Sequence, residues 1–113
     1  MLPGPFSGAV QNENKPSQHD PNGPPPPQFR IVHAVRIAND GLVYVCDRTN
    51  DRLQVFQKDG TFVQEAFIAK ETFGSGSVWD IGFSTDPEQT FLIVIDGTNQ
   101  QVYVAACGRR SRS

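Results

Sequence analysis

Cysteine is scarce in this sequence, and its scarcity argues against two kinds of site. Cys46 and Cys107 are the two cysteines among 113 residues, and they lie far apart, without the spacing of a metal-binding pair. Two isolated cysteines do not define a disulfide framework either. Because Cys46 lies in an apolar run, we expect its thiol to be buried as a small hydrophobic side chain.

The sequence also lacks long apolar runs and a net positive charge. No window approaches the roughly 20 apolar residues of a membrane span, and residues 1–10 lack the basic and apolar regions of a secretory signal. The formal net charge of −2 provides no basic field for nucleic acid or for an anionic lipid surface. Residues 108–113 hold the one basic cluster, which we interpret as a solvated tail. The composition therefore predicts no nucleic-acid partner and no membrane partner.

Aliphatic side chains are almost absent from residues 1–28, which hold eight of the nine prolines. Such a segment buries too little apolar surface to offset the entropy of ordering it, so we expect it to be disordered or extended. The prolines at 24–27 favour a solvated spacer, and a polyproline ligand for an aromatic groove is the alternative. The residues that can pack into a core begin near Phe29.

From residue 33 onward, apolar and polar residues alternate with a period of two. This period is typical of β-strands, and the Asp-Gly pairs between the apolar stretches favour tight hairpin turns. No stretch between residues 29 and 107 predicts a long helix. The pattern predicts an antiparallel four-stranded meander, with strands near residues 33–38, 42–46, 53–56 and 61–67.

The meander then repeats, which is the most informative feature of the sequence. The residues D-R-T-N at 47–50 return as D-G-T-N at 96–99, which is 49 residues later. An internal repeat of roughly 40 to 50 residues built from strands is typical of β-propeller blades. We therefore predict an all-β chain with a first blade at residues 29–73 and a second, truncated blade at residues 74–107.

Residues 33–67 resemble an NHL repeat. The resemblance lies in the Asp-Gly turn followed by V-Y-V-C-D, in the asparagine three residues after that aspartate, and in R-L-Q-V-F followed by K-D-G-T-F. Residues 79–104 resemble part of a second repeat, with Gln101 where the first has Arg52 and without an outermost strand. The resemblance implies blades of a six-bladed β-propeller, in a group that includes the peptidylglycine amidating lyases.

The repeated D-x-x-N motif comprises four residues: Asp47, Asn50, Asp96 and Asn99. An aspartate at a strand end accepts backbone N–H groups two or three residues further along, and we expect Asn50 to adopt the left-handed conformation. A calcium loop instead requires alternating oxygen ligands and a distal glutamate, which this motif lacks. Because the motif recurs, whereas a catalytic acid occurs once per site, we interpret the four residues as structural turn residues. Arg52 is expected to form a weak surface ion pair with Asp47 or Asp51.

The resemblance implies that the inner strand of each blade lines a central channel, where propellers bind their ligands. On these strands, His33, Trp79 and Asp80 are the candidates to face the channel. The amidating lyases hold zinc with imidazoles from several blades, but one imidazole is not a zinc site. We therefore expect His33 to have a structural or general channel role, and Trp79 to pack in the core rather than stack on a ligand.

Chain length limits the functional interpretation. A ring of four to eight blades needs roughly 200 residues or more, so we expect a fragment, a truncated reading frame or a unit that closes by self-association. We favour a non-catalytic module that binds a protein or peptide or has a structural role, with no cofactor. The alternative is part of a propeller enzyme, similar to an amidating lyase or a lactonase, with zinc or calcium held only in the complete ring. Such an enzyme could be secreted or periplasmic; the sequence itself indicates no compartment.

Overall fold

Seven β-strands form the regular secondary structure of residues 19–107, which are the residues that the computed structural model describes. No helix is present in this range, and the strands form two antiparallel sheets of four and three strands. This architecture is consistent with incomplete propeller blades, and the all-β prediction is confirmed. The expectations for residues 1–18 and 108–113 lie outside the described residues.

The first sheet is a meander in which each strand pairs with the next one along the chain. Of its three turns, the first and the last contain Gly41 and Gly60, with φ angles of 90° and 94° that glycine adopts without steric cost. Asp40 supports the first turn by accepting the backbone N–H of Leu42 at 3.0 Å. Each strand bound lies within one residue of its prediction. The strands are β1 (Val32–Ile37), β2 (Val43–Asp47), β3 (Arg52–Phe56) and β4 (Phe62–Phe67).

The second sheet repeats the meander with three strands and a longer first turn. Asp86 organises that turn, because its carboxylate accepts hydrogen bonds from the hydroxyl groups of Ser84 and Thr90. These hydrogen bonds lower the pKa of Asp86 to about 2. The strands are β5 (Asp80–Phe83), β6 (Phe91–Asp96) and β7 (Gln101–Ala106).

The main hydrophobic core lies between the two sheets. Burying each large apolar side chain contributes roughly 1.5–3 kcal/mol, so this interface is a large part of what holds the sheets together. Cys46 is fully buried here, as expected, and burial raises the pKa of its thiol to about 12. The core residues are Ala38, Tyr44, Cys46, Leu53, Val55, Val78, Ile81, Leu92, Val94 and Cys107.

The outward faces of the two sheets differ in how much apolar surface they leave in water. On the first sheet, Phe29 packs edge to face on Phe56, with ring centroids 6.1 Å apart, and forms a small second core with it and Val45. On the second sheet, no described residue packs on the outward face in the way that Phe29 packs on the first. Its outward face exposes Phe91, Ile95, Val102 and Val104.

Residues 19–28 form neither helix nor strand, but hydrogen bonds hold them against the first sheet. Arg52 donates from Nη1 to the carbonyl oxygen of Pro26 at 2.8 Å and from Nη2 to that of Gln28 at 3.1 Å. Asn50 donates to the same Gln28 oxygen at 3.0 Å. Apolar burial was the basis for expecting a disordered or extended segment, and that criterion does not detect hydrogen bonds to backbone carbonyl groups. Residues 20–23 form a turn, and the prolines that follow are held against the first sheet.

Candidate functional site

The D-x-x-N turn of the first sheet is built around a buried carboxylate. Asp47 ends β2, and its Oδ1 accepts the backbone N–H of Arg30 at 2.7 Å. Its Oδ2 accepts hydrogen bonds from Nδ2 of Asn50 at 2.8 Å and from Nε of Arg52 at 2.9 Å. Burial raises the pKa of Asp47, while these hydrogen bonds act to lower it. Both oxygens therefore have structural partners within the fold.

The turn of the second sheet has the same aspartate–asparagine bond. Oδ1 of Asp96 accepts a hydrogen bond from the backbone N–H of Asn99 at 3.0 Å. Oδ2 of Asp96 accepts a second one from Nδ2 of Asn99 at 2.8 Å. The hydroxyl group of Tyr103 donates to Oδ2 at 2.9 Å, where the first turn has an arginine. Burial raises the pKa of Tyr103, and the hydrogen bond to Asp96 adds to the effect.

Three details of the first turn differ from the sequence interpretation. Asp47 was expected to accept a backbone N–H group two or three residues further along, but its Oδ1 accepts that of Arg30, which lies 17 residues earlier. Arg52 pairs with Asp47 in the interior rather than at the surface, because its side chain is only 2% exposed. The left-handed residue is Asp51, with a φ angle of 59°, instead of Asn50; Gln100 adopts the same conformation at the equivalent position, with a φ angle of 57°. The burial of Arg52 depends on the distant residues that cover it, which a local sequence pattern does not contain.

His33 and Trp79, two of the predicted channel residues, contact each other. Nδ1 of His33 lies 2.8 Å from the carbonyl oxygen of Trp79, and the two rings meet edge to face with centroids 5.6 Å apart. Because a carbonyl oxygen only accepts hydrogen bonds, Nδ1 is the donor in this contact. The contact joins the start of the first meander to the start of the second.

The indole of Trp79 is fixed by the two D-x-x-N turns. The Arg48 guanidinium lies 5.1 Å from the centroid of the ring, within range of a cation–π interaction. Gly97 holds the equivalent position in the second turn, and a Cβ atom there would lie 2.4 Å from the ring. Nε1 donates to the carbonyl oxygen of Gly76 at 2.9 Å. These contacts hold the indole in place, although Trp79 is only partly buried and is not one of the core residues.

Asp80, the third predicted channel residue, forms an ion pair between the inner strands of the two sheets. Arg36 of β1 donates to its carboxylate from Nε at 3.2 Å and from Nη2 at 2.8 Å. This pair lowers the pKa of Asp80. The side chains of Arg36 and Asp80 are 51% and 40% exposed, so both remain accessible to a partner.

The inner ends of the two sheets are the neighbouring strands β1 and β5 together with Trp79. They present one histidine, one tryptophan and an accessible ion pair. These groups can donate and accept hydrogen bonds and can stack on a flat or cationic group. Among residues 19–107, no three histidine, cysteine, aspartate or glutamate side chains are grouped so that they could hold a metal ion. The same residues contain no helix with the length and hydrophobicity needed to cross a bilayer.

Two groups of interacting residues were not identified from the sequence. Arg36 and Arg48 contact Asp80 and Trp79 across more than 30 positions in the chain, and the one signal in the sequence is that Arg48 lies within the first D-x-x-N motif. His19 lies 3.0 Å from the buried carboxylate of Asp51. Nothing in the proline-rich context of His19 indicates that contact.

A four-stranded meander followed after 49 residues by a second meander is the arrangement of incomplete β-propeller blades. A family model specifies the repeat: residues 29–56 match the NHL repeat. The match falls within the first sheet, and the sequence resemblance to an NHL repeat is confirmed there. No solved structure matches the chain significantly.

Two curated proteins are similar to part of the chain. NHL repeat-containing protein 3 from Homo sapiens is 49% identical over 41 residues, which cover 36% of this chain and 12% of that protein. NHL repeat-containing protein 3 from Mus musculus is 53% identical over 38 residues, which cover 34% of this chain and 11% of that protein. The similar part is a small fraction of each relative.

Proposed function

We propose that this chain is a non-catalytic NHL-type module that binds a protein or peptide through the inner ends of its two sheets. NHL repeats are commonly protein-interaction modules. The observation that supports this site most directly is the accessible ion pair between Arg36 and Asp80, which lies beside the contact between His33 and Trp79.

The proposed site combines side chains that are frequent at binding hot spots with free strand edges. Tryptophan and arginine are enriched among the residues that dominate binding energy. β1 pairs with β2 alone and β5 pairs with β6 alone, so each inner strand has one edge whose backbone groups have no strand partner in the described sheets. An extended peptide can pair with such an edge. A peptide that carries a carboxylate and a cation would also exchange partners with Arg36 and Asp80.

A displayed library of random peptides selected against the full chain tests this proposal. Selected peptides are then measured by fluorescence anisotropy against the double variant Arg36→Gln, Asp80→Asn. We expect the double variant to weaken binding by on the order of tenfold or more. Because an exposed ion pair contributes only about 0–1 kcal/mol to stability, the circular dichroism spectrum should be unchanged.

Lys58→Gln is the matched control, because it removes a charge from the exposed turn between β3 and β4. It should leave peptide binding unchanged. Selected peptides that bind the double variant as well as the original chain would contradict the proposed site. So would a selection that yields no specific binder.

A further inference from the structure

The internal repeat predicts what should cover the exposed outward face of the second sheet. Tyr44, Cys46, Leu53 and Val55 lie on the face of the first sheet that packs against the second. The residues 49 positions later lie together on one face of the second sheet, which we call the leading face. They are Ile93, Ile95, Val102 and Val104.

The leading face is apolar and largely open to water. Val102 is 61% exposed and Val104 is 66% exposed. Phe91, the first residue of β6, extends the same apolar surface. In the first sheet, the equivalent residues are buried because a neighbouring sheet covers them. The leading face therefore has the composition of a sheet–sheet interface without its second sheet.

The same chain also carries the complementary surface. The second sheet contacts the first through Ile81 and Val94, paired across β5 and β6. In the first sheet the equivalent pair is Val35 and Val45, and the next pair is Ile37 and Val43. We call Val35, Ile37 and Val43 the trailing face. Val35 is 52% exposed and Ile37 is 58% exposed, whereas Val43 is partly buried against the cluster of Phe29, Val45 and Phe56.

We propose that the leading face of one copy of this chain packs on the trailing face of a second copy. A second copy fits because the two faces are the repeat equivalents of residues that already pack together between the sheets inside the chain. Such an interface is heterologous, so it closes a ring or continues as a filament.

The polar contacts of the internal interface are not reproduced between copies. Arg36 and Asp80 join the sheets within one chain, but the strand register gives Gly82 and Ala34 at the corresponding positions between two copies. The interface between copies is therefore held by apolar contacts. Its dissociation constant should change little with salt concentration, because no ion pair is available for screening.

Analytical ultracentrifugation of the full chain over a wide concentration range tests the proposal. We expect reversible association that ends at a closed species. Val104→Glu on the leading face and Ile37→Glu on the trailing face should each raise the dissociation constant by on the order of tenfold or more. Gln101→Glu is the matched control, because it adds the same charge at an exposed position of β7 outside both faces, and it should leave association unchanged.

A mixture of the two face variants identifies the geometry. Each variant retains one intact face, so an equimolar mixture should form a dimer of one Val104→Glu chain and one Ile37→Glu chain, and nothing larger. A chain that stays monomeric at every concentration would overturn the proposal and assign the leading face to a different sheet. Association that both variants leave intact would also overturn it. Circular dichroism of each variant establishes that the sheets are folded.

Discussion

The two copies of the D-x-x-N turn have the same aspartate–asparagine bond in different surroundings. In the first copy, Asp47 also binds Arg52, and residues 26–28 cover the arginine. In the second copy, Gln101 stands at the position of Arg52 and is exposed, and the hydroxyl group of Tyr103 reaches Asp96 instead. The repeated residues therefore define the turn, and the residues around them determine how firmly each copy is held.

The difference has a physical origin in the cost of burying charge. An arginine that is 2% exposed requires acceptors for its remaining N–H groups. The first sheet obtains these from Asp47, Glu65 and the carbonyl oxygens of Pro26 and Gln28. The second sheet has no buried cation at this position, so it needs no covering segment.

The largest effect is expected from removing the charge that distinguishes the first copy. Arg52→Met leaves Asp47 buried without its cation, which should lower the free energy of unfolding by about 3–5 kcal/mol. Gln101→Met, at the equivalent exposed position, should change it by only about 0.5 kcal/mol or less. Urea denaturation followed by circular dichroism measures both.

Arg52→Lys adds a second measurement in case the methionine variant does not fold. Lysine keeps the charge but loses the planar fork of donors, so its stability should lie between those of the original chain and Arg52→Met. Equal losses at positions 52 and 101 would mean that the two turns are held in the same way, contrary to this comparison.

A smaller loss of stability is expected from a change at Gly97, which contacts Trp79 in the second turn as Arg48 does in the first. Gly97→Ala places a methyl group where the indole lies 2.4 Å away, and such overpacking costs about 1–3 kcal/mol. Trp79 is the one tryptophan in the chain, so its fluorescence spectrum should shift with the loss of stability. Gly82→Ala is the control, because nothing lies within 4 Å of its added Cβ. An unchanged spectrum in Gly97→Ala would show that this turn is not packed on the indole.

The third difference is expected in how stability depends on pH, because the left-handed residue of the first turn titrates and that of the second does not. Burial raises the pKa of Asp51 to about 6, with smaller influences from Ser77, His19 and Asp96. The folded chain therefore binds this proton more tightly than the unfolded chain, where aspartate titrates near pH ~3.9. The contribution of Asp51 to stability is fully present below pH ~3.9 and decreases as the pH rises through about 6.

Asp51→Asn should remove that decrease and keep the hydrogen bond that Oδ1 accepts from the backbone N–H of Ser77. Urea denaturation at a series of pH values across this window measures the difference between the two chains. Gln100 holds the equivalent left-handed position and does not titrate, so Gln100→Ala should leave the pH dependence unaltered. If the stability of Asp51→Asn and of the original chain changed with pH in parallel, titration of Asp51 would not be the cause of the difference between the turns.

The sequence predicts the strands and turns well because their determinants are local. Alternation with a period of two defines β1 to β4 to within one residue, and glycine supports the turns at Gly41 and Gly60. The candidate site was predicted less completely. His33, Trp79 and Asp80 were identified as inner-strand residues from the repeat, but their contacts with Arg36 and Arg48 were not. Those contacts depend on how one sheet lies against the other, and no local pattern specifies that arrangement.

By itself, the sequence determined the repeat, the strand order within each meander and the aspartate–asparagine turn, because each of these depends on residues that are close together in the chain. The tertiary structure alone decided that Arg52 is buried, that residues 19–28 are held against the first sheet, and that Arg36 meets Asp80. It also decided which apolar faces are covered and which remain open. The physical reason is that burial and ion pairing depend on neighbours that are distant in the sequence.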